Sequence, residues 1–286
     1  YENSEAARSF FDNAQKILDF DLKEMCFGEH EELNLTEYTQ PCMVSVCLAI
    51  VQELKKRGIN PDITAGLSLG EYGALIASGA MTMADAFAVV RKRGIYMQEA
   101  VPTGGAMTAV LGLDPQVIED ICKKTADETN SVVSVANYNC PGQIVITGEK
   151  AAVDAAAAAC SEAGAKRCVP LKVSGPFHSA MLKGAGEKLA DALESVEIHD
   201  IKVPYITNVT ADYVKSPADV KDYLTQQVSS SVRWQQTIER LIADGADEFV
   251  EIGPGRSLSG FMRKINRDVK VVNIDKLEDF EKYVNR

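Results

Sequence analysis

Apolar positions recur at helical spacing over residues 4–18, and a second helical stretch rich in small and apolar residues runs over 37–56. Asp62 to Ala65 reads as a short extended approach to a helix over 69–79. The next helix reaches about Glu99, with Thr82 as its N-cap and Asp85 in its first turn. After Pro102-Thr103-Gly104-Gly105 the rhythm changes. Strands are predicted at 106–113, 131–137, 143–148 and 166–173, and helices at 114–128 and 149–165. Asp114 and Pro115 are the N-cap and first residue of the former helix, and Asn139-Cys140-Pro141-Gly142 is a turn signal. Longer alternation then returns: a helix over 179–195, a strand over 203–209, helices near 217–228 and 233–244, a strand at 248–253, a helix from Ser257, a strand at 269–275 and a terminal helix.

The order β-α-β-β-α-β over residues 104–172 is that of a split βαβ, or ferredoxin-like, unit. It is expected as a small subdomain inserted into a larger one formed by 1–103 and 173–286. The larger part alternates strands and helices, which predicts an α/β architecture with a mainly parallel sheet covered on both faces.

Composition narrows the classes. The 286 residues suit one large domain or two joined ones, and 46% hydrophobic with 25% charged residues is enough to bury a substantial core. No apolar run approaches the ~20 residues of a membrane span, and Tyr1 is not followed by a basic then apolar leader. Seven cysteines without CxxC spacing disfavour zinc and a disulfide framework, so a reducing cytoplasm is the expected location. A formal charge of −11 argues against nucleic acid as a partner while leaving room for a local basic patch.

Candidate chemistry centres on Gly66-Leu67-Ser68-Leu69-Gly70, which fits the G-x-S-x-G nucleophile elbow. A tight strand-to-helix turn with small neighbours exposes the serine oxygen, and Leu69 offers a backbone N–H to a developing oxyanion. The plain alternative is a turn that happens to contain serine. Such a nucleophile needs a base. His30 and His199 lie in acidic, polar segments, whereas His178 follows Pro176-Phe177 at a strand–helix junction. Arg93 borders the apolar seam Met83, Phe87, Val90, Gly94, Met97 of its helix. It is either a long side chain reaching water or a guanidinium held in a cleft for a carboxylate.

These motifs, together with Glu37-Tyr38-Thr39-Gln40-Pro41, RG-x-x-MQEAVP, NYNCPGQIVITG, GPFHS and EIGPG, run in order along nearly the whole chain. They resemble the malonyl-CoA:acyl carrier protein transacylases, the acyltransferase family of bacterial fatty-acid synthesis, related to acyltransferase domains of polyketide synthases. The resemblance implies a hydrolase-like α/β subdomain carrying the ferredoxin-like insertion. It implies Ser68 as acylated nucleophile, His178 as base, Arg93 as ligand of the malonyl carboxylate, and Gln227 as the residue whose backbone carbonyl orients His178. On residue type alone Gln227 reads as a surface helix residue. Asn137 matches a cleft-lining position, with a strand-end turn residue as the alternative, and Phe177 resembles malonyl-selective members. Gly253-Pro254-Gly255 is a structural turn or a weak phosphate cradle.

The resemblance implies malonyl-CoA and acyl carrier protein as partners, the carrier bringing its own phosphopantetheine. No cofactor, metal, nucleic acid or membrane is expected, and the chain is expected to be a monomer. Arg256, Arg263, Lys264 and Arg267 are candidates for carrier docking, or an ordinary solvated face. Two departures stand out. Leu67 occupies a position that is commonly histidine, and the family's first strand with its Gly-Gln-Gly-x-Gln loop is not in the sequence, which starts at Tyr1. The resemblance therefore predicts an open sheet edge beside the segment feeding Ser68, and one oxyanion donor fewer. A serine thioesterase or esterase and a non-catalytic carrier-binding module are the alternative readings.

Overall fold

The structure, a computed structural model, describes residues 1–173 and 175–286. It begins with helices α1 (Glu5–Gln15), α2 (Leu22–Phe27), the long α3 (Thr36–Lys56), α4 (Gly70–Ser78) and α5 (Met83–Ala100). Ser4 caps α1 by accepting from the Ala7 N–H, and Thr82 caps α5 by accepting from the Asp85 N–H at 3.1 Å.

α3 and α5 set the geometry of the site. A Cβ on Gly94 would lie 2.7 Å from Glu37 Cα and 2.8 Å from the Thr36 carbonyl oxygen, so the helices meet at a spacing only glycine admits. Pro41, inside α3, lacks the N–H that would satisfy the Glu37 carbonyl one turn back. Arg91 on α5 supplies that donor at 2.8 Å and holds the Glu37 carboxylate at 2.9 Å. The close crossing brings Gln40 on α3 within reach of Arg93 on α5.

The middle of the chain forms β1 (Gly105–Leu111), α6 (Pro115–Thr129), β2 (Val133–Cys140), β3 (Gln143–Glu149), α7 (Lys150–Glu162) and β4 (Arg167–Pro170). The strand order is β2-β3-β1-β4 with every neighbouring pair antiparallel, the ferredoxin-like interleaving of two βαβ units. Val110, Ile118, Val133, Ile146, Val153 and Cys160 make the core between this sheet and its helices. A separate, larger core around Phe10, Leu48, Leu75, Phe87, Val90 and Leu189 joins α1, α3, α4 and α5 to the helix that follows the sheet, α8 (Lys183–Glu194).

The remaining elements are α9 (Val220–Gln227), α10 (Trp234–Ala243), β5 (Glu248–Ile252), α11 (Ser257–Ile265), β6 (Lys270–Ile274) and α12 (Leu277–Val284). β5 and β6 pair in parallel from Glu248↔Lys270 to Ile252↔Ile274.

Parallel pairing among the described residues is less extensive than the alternation of segments predicts. The strand expected over 203–209 does not form as a regular element. Thr64 and Tyr205 run parallel through two bonds only, Thr64 N–H to the Pro204 carbonyl at 2.9 Å and Ile206 N–H to the Thr64 carbonyl at 3.3 Å. Past Ile206 the donors turn elsewhere: Thr207 N–H to the Asp212 carbonyl at 3.2 Å, and Asn208 N–H to the Glu71 carboxylate at 3.0 Å. These two donors are engaged in a turn and in the site rather than in a ladder.

β2 is laced to the loop after α9. Tyr138 N–H donates to the Val232 carbonyl at 2.9 Å, Val232 N–H to the Ala136 carbonyl at 2.8 Å, and Ser231 Oγ to the Val135 carbonyl at 2.6 Å. No helix among the described residues is long and apolar enough to cross a membrane.

Candidate active site

The turn from Thr64 into α4 is built on one steric demand. A Cβ on Gly66 would fall 2.0 Å from the carbonyl carbon and oxygen of Gly70, whereas a Cβ on Gly70 would meet open space. Of the two glycines flanking Ser68, only the first is required by contact. Ser68 takes a left-handed backbone, φ 51°, which costs a non-glycine residue roughly 1–2 kcal/mol. Asn208 clamps the turn on both sides: its Oδ1 accepts from the Ser68 N–H at 2.5 Å, and its Nδ2 donates to the Gly66 carbonyl at 2.7 Å. The N–H groups of Gly70, Glu71 and Tyr72 fold back onto the Leu67, Ser68 and Leu69 carbonyls at 2.9–3.1 Å. The Leu69 N–H has no protein acceptor among the described residues, and so remains free at the start of α4.

His178 meets this serine from the far side of the four-stranded sheet in sequence. It too has positive φ, 59°, and is 4% exposed. His178 Nε2 lies 2.8 Å from Ser68 Oγ, and Nδ1 lies 2.8 Å from the Gln227 backbone oxygen. A carbonyl only accepts, so Nδ1 carries the proton and Nε2 is left free to take one from the serine hydroxyl. Burial pulls the imidazole pKa down to about 4, the Arg93 charge adds to that effect, and the Gln227 and Ser230 backbone opposes it. The ring is therefore a neutral base at pH 7.

Arg93 is buried, 1% exposed, rather than reaching for water. Its Nη2 donates to Ser68 Oγ at 3.0 Å and to Gln227 Oε1 at 3.1 Å, and its Nη1 to Gln40 Oε1 at 2.6 Å. The guanidinium carbon lies 5.5 Å from the Tyr72 ring centroid, and Nε has no acceptor among the described residues. Burial lowers its pKa, while Tyr72 and Glu71 oppose the shift. A guanidinium stays charged through such a change, and this one touches the same oxygen as the base.

Gln227 ends α9 fully buried, not on the surface. Its backbone holds His178, and its side chain accepts from Arg93 while donating to the Ser68 carbonyl at 3.0 Å and to Glu71 Oε2 at 2.6 Å. Ser68, His178, Arg93 and Gln227 thus form one hydrogen-bonded cluster.

Phe177 packs at the boundary between the large core and a small cluster of Met107, Ala109, Ala136 and Val145 on the antiparallel sheet. Asn137 is buried on β2 opposite Val232 and makes no side-chain hydrogen bond to the cluster among the described residues. His30 and His199 lie elsewhere, 3.2 Å from Glu24 and 3.6 Å from Glu197. Arg256, Arg263, Lys264 and Arg267 are exposed on or beside α11, with Lys264 reaching Gln143 at 3.2 Å. Among the described residues no three His, Cys, Asp or Glu side chains are grouped to hold a metal, and all seven cysteines are free thiols.

Three residues hydrogen-bonded to this cluster, Gln40, Asn208 and Glu71, are not candidates on sequence grounds. Gln40 lies in the EYTQP motif but had no role assigned. Asn208 carried no local signal. Glu71 did carry one: it is the sole charged residue in the small, apolar stretch from Gly66 to Ala80. Burial pushes its carboxyl pKa up, against the donors of Asn208 and Gln227 and the charge of Arg93.

Residues 2–274 match the acyl transferase domain model. The chain belongs to the acyl transferase domain family. It is 46% identical, over 98% of its length and 89% of the relative's, to the malonyl CoA-acyl carrier protein transacylase of Bacillus subtilis (strain 168). Its fold is similar to the crystal structure of the MCAT of Streptococcus pneumoniae, with a TM-score of 0.96 and 42% identity over 100% of this chain and 93% of that one. It is also similar to a malonyl-transacylase solved in complex with its type II polyketide acyl carrier protein, with a TM-score of 0.95 and 37% identity over 99% and 92% of the two chains. An acyl transferase domain has direct use for a buried serine–histidine pair, and a guanidinium on the same serine narrows the acyl groups that suit it.

Proposed function

We infer that this protein moves a malonyl group from malonyl-CoA to the phosphopantetheine thiol of an acyl carrier protein, through a malonyl ester on Ser68, for fatty-acid synthesis. The observation that carries the reading is the double contact at Ser68 Oγ, with His178 Nε2 at 2.8 Å and Arg93 Nη2 at 3.0 Å. A serine hydrolase for neutral esters needs the first contact and has no use for the second. A carboxylate on the acyl group gives the second its purpose.

In the forward half-reaction His178 Nε2 takes the Ser68 proton as Oγ attacks the thioester carbonyl. Arg93 holds the distal carboxylate and so sets the acyl carbon over the serine. The Leu69 N–H faces the developing oxyanion. The tetrahedral intermediate collapses, the carbon–sulfur bond breaks, and the proton on His178 passes to the departing CoA thiolate. The carrier's thiol then enters by the reverse path: His178 takes its proton, sulfur attacks the ester, and Ser68 recovers the proton. Thioesters are activated acyl donors, so a histidine oriented by a backbone carbonyl suffices where a triad would use a carboxylate.

Intact-mass measurement after mixing with malonyl-CoA, followed by addition of phosphopantetheinylated carrier protein, tests the reading. A malonyl adduct absent from Ser68→Ala and discharged onto the carrier is expected. Steady release of free malonate without transfer would make the protein a thioesterase instead, and no adduct with no turnover would leave only a binding module.

A further inference from the structure

We propose that Glu71 is a positioning residue for acyl transfer: its carboxyl group anchors Gln227 by the side-chain amide, which sets the aim of Arg93, and so steadies the residue whose backbone carbonyl seats His178. The proposal rests on the acyl-transfer reading above and goes beyond it.

Glu71 stands on the first turn of α4 and is fully buried. One oxygen, Oε2, receives Gln227 Nε2 at 2.6 Å and the Asn208 backbone N–H at 3.0 Å. Both donors belong to residues that grip the nucleophile. Asn208 spans Ser68 N–H and the Gly66 carbonyl, and Gln227 holds the Ser68 carbonyl. A single carboxylate oxygen therefore ties together the two clamps on the strained turn.

The sense of the Gln227 amide follows from its neighbours. A primary amide can be turned end for end with little change of shape, so hydrogen bonding alone decides its direction. As observed, Nε2 faces two acceptors, Glu71 Oε2 and the Ser68 carbonyl, and Oε1 faces an Arg93 donor. Turned over, its oxygen would confront a carboxylate and a carbonyl oxygen, and its NH₂ would confront a guanidinium. Glu71 Oε2 makes the shorter of the two contacts, 2.6 Å against 3.0 Å to the Ser68 carbonyl, and contributes most to that preference.

The relay also separates two needs of Arg93. A buried guanidinium needs fixed hydrogen-bond partners, and all three of its hydrogen bonds go to neutral oxygens. A carboxylate in direct contact would occupy the guanidinium edge that an incoming acyl carboxylate has to reach. With the Gln227 amide interposed, Glu71 fixes Arg93 from behind through hydrogen bonds and leaves that edge for substrate.

The test compares wild type with Glu71→Gln, Glu71→Asp and Glu71→Leu. For each, rapid-quench intact mass gives the acylation rate constant and the acylatable fraction with malonyl-CoA and with acetyl-CoA. Glu71→Gln keeps an oxygen for both N–H donors and is expected to hold the per-site rate within about threefold of wild type. Glu71→Asp withdraws the carboxylate by one methylene and Glu71→Leu removes it. Both are expected to lose about 10- to 100-fold in per-site rate, with a lower malonyl-to-acetyl ratio, because misplacement by about 1 Å costs on that order. A purely structural role would shrink the acylatable fraction and leave the per-site rate alone. That result in Glu71→Leu, a wild-type rate in Glu71→Asp, or a Glu71→Gln as slow as Glu71→Leu would each overturn the proposal. If Glu71→Leu does not fold, the contrast between Asp and Gln decides. Failure of wild type itself to take malonyl would instead sink the underlying acyl-transfer reading, and this proposal with it.

Discussion

Removing the Arg93 guanidinium separates binding of a carboxylated acyl group from the chemistry at Ser68. In the free protein Arg93 already bonds Gln40, Gln227 and Ser68, so a bound malonyl carboxylate adds net only what the remaining N–H groups and the exchange at Ser68 provide. Counting one charge-assisted hydrogen bond as the gain gives about 1.5–3 kcal/mol, or about 10- to 150-fold in kcat/KM. Acetyl-CoA has no carboxylate and forfeits none of this. Arg93→Ala should therefore lower the malonyl-to-acetyl ratio of acylation rates by roughly that factor, with His178 and its Gln227 carbonyl still in place. The substitution also strands Gln40 Oε1 and Gln227 Oε1 as buried acceptors, at about 1–3 kcal/mol each where water does not reach them. It relieves the cost of burying a cation, so a thermal midpoint is recorded beside the kinetics. Arg93→Lys keeps a charge but not the planar fork, and should fall between wild type and Arg93→Ala. A ratio in folded Arg93→Ala within about threefold of wild type would show that Arg93 does not read the acyl carboxylate.

The pH profile tests the base. With the His178 pKa near 4, kcat/KM for acylation should stay flat from about pH 8 to about pH 5.5 and fall only as the ring protonates below that; half-loss at the ordinary histidine value, near 6.5, would refute the buried neutral imidazole. Gly66→Ala places a methyl 2.0 Å from Gly70 backbone atoms and should cost more than about 4 kcal/mol, giving an unfolded or inactive protein. A Gly66→Ala thermal midpoint within about 3 °C of wild type would contradict the close approach. Reversing Arg263 and Lys264 to Glu should raise KM for carrier protein and flatten its salt dependence while leaving acylation by malonyl-CoA unchanged, since both are exposed on α11. If neither KM nor salt dependence moves, docking lies elsewhere.

Local pattern determined much of this molecule. Caps at Thr82 and Asp114, the period change after Gly105, and the two βαβ units announce themselves in runs of a few residues, because backbone capping and side-chain alternation are short-range effects. The serine turn was legible for the same reason: Gly66 is demanded by atoms four residues away along the chain. The segment 203–209 misled, since its apolar spelling suits a strand while its donors are taken by Asp212 and Glu71. Arg93 and Gln227 read equally well as solvent-facing residues, and what buries them comes from other elements, Gln40 on α3 and the Glu71–Asn208 pair. Tertiary structure alone decided that the Glu71 carboxyl, three residues from Ser68, meets the Gln227 amide and the Asn208 backbone. Helical phase places a side chain on a face, but whether a polar group there meets water or a partner depends on what the fold packs against that face.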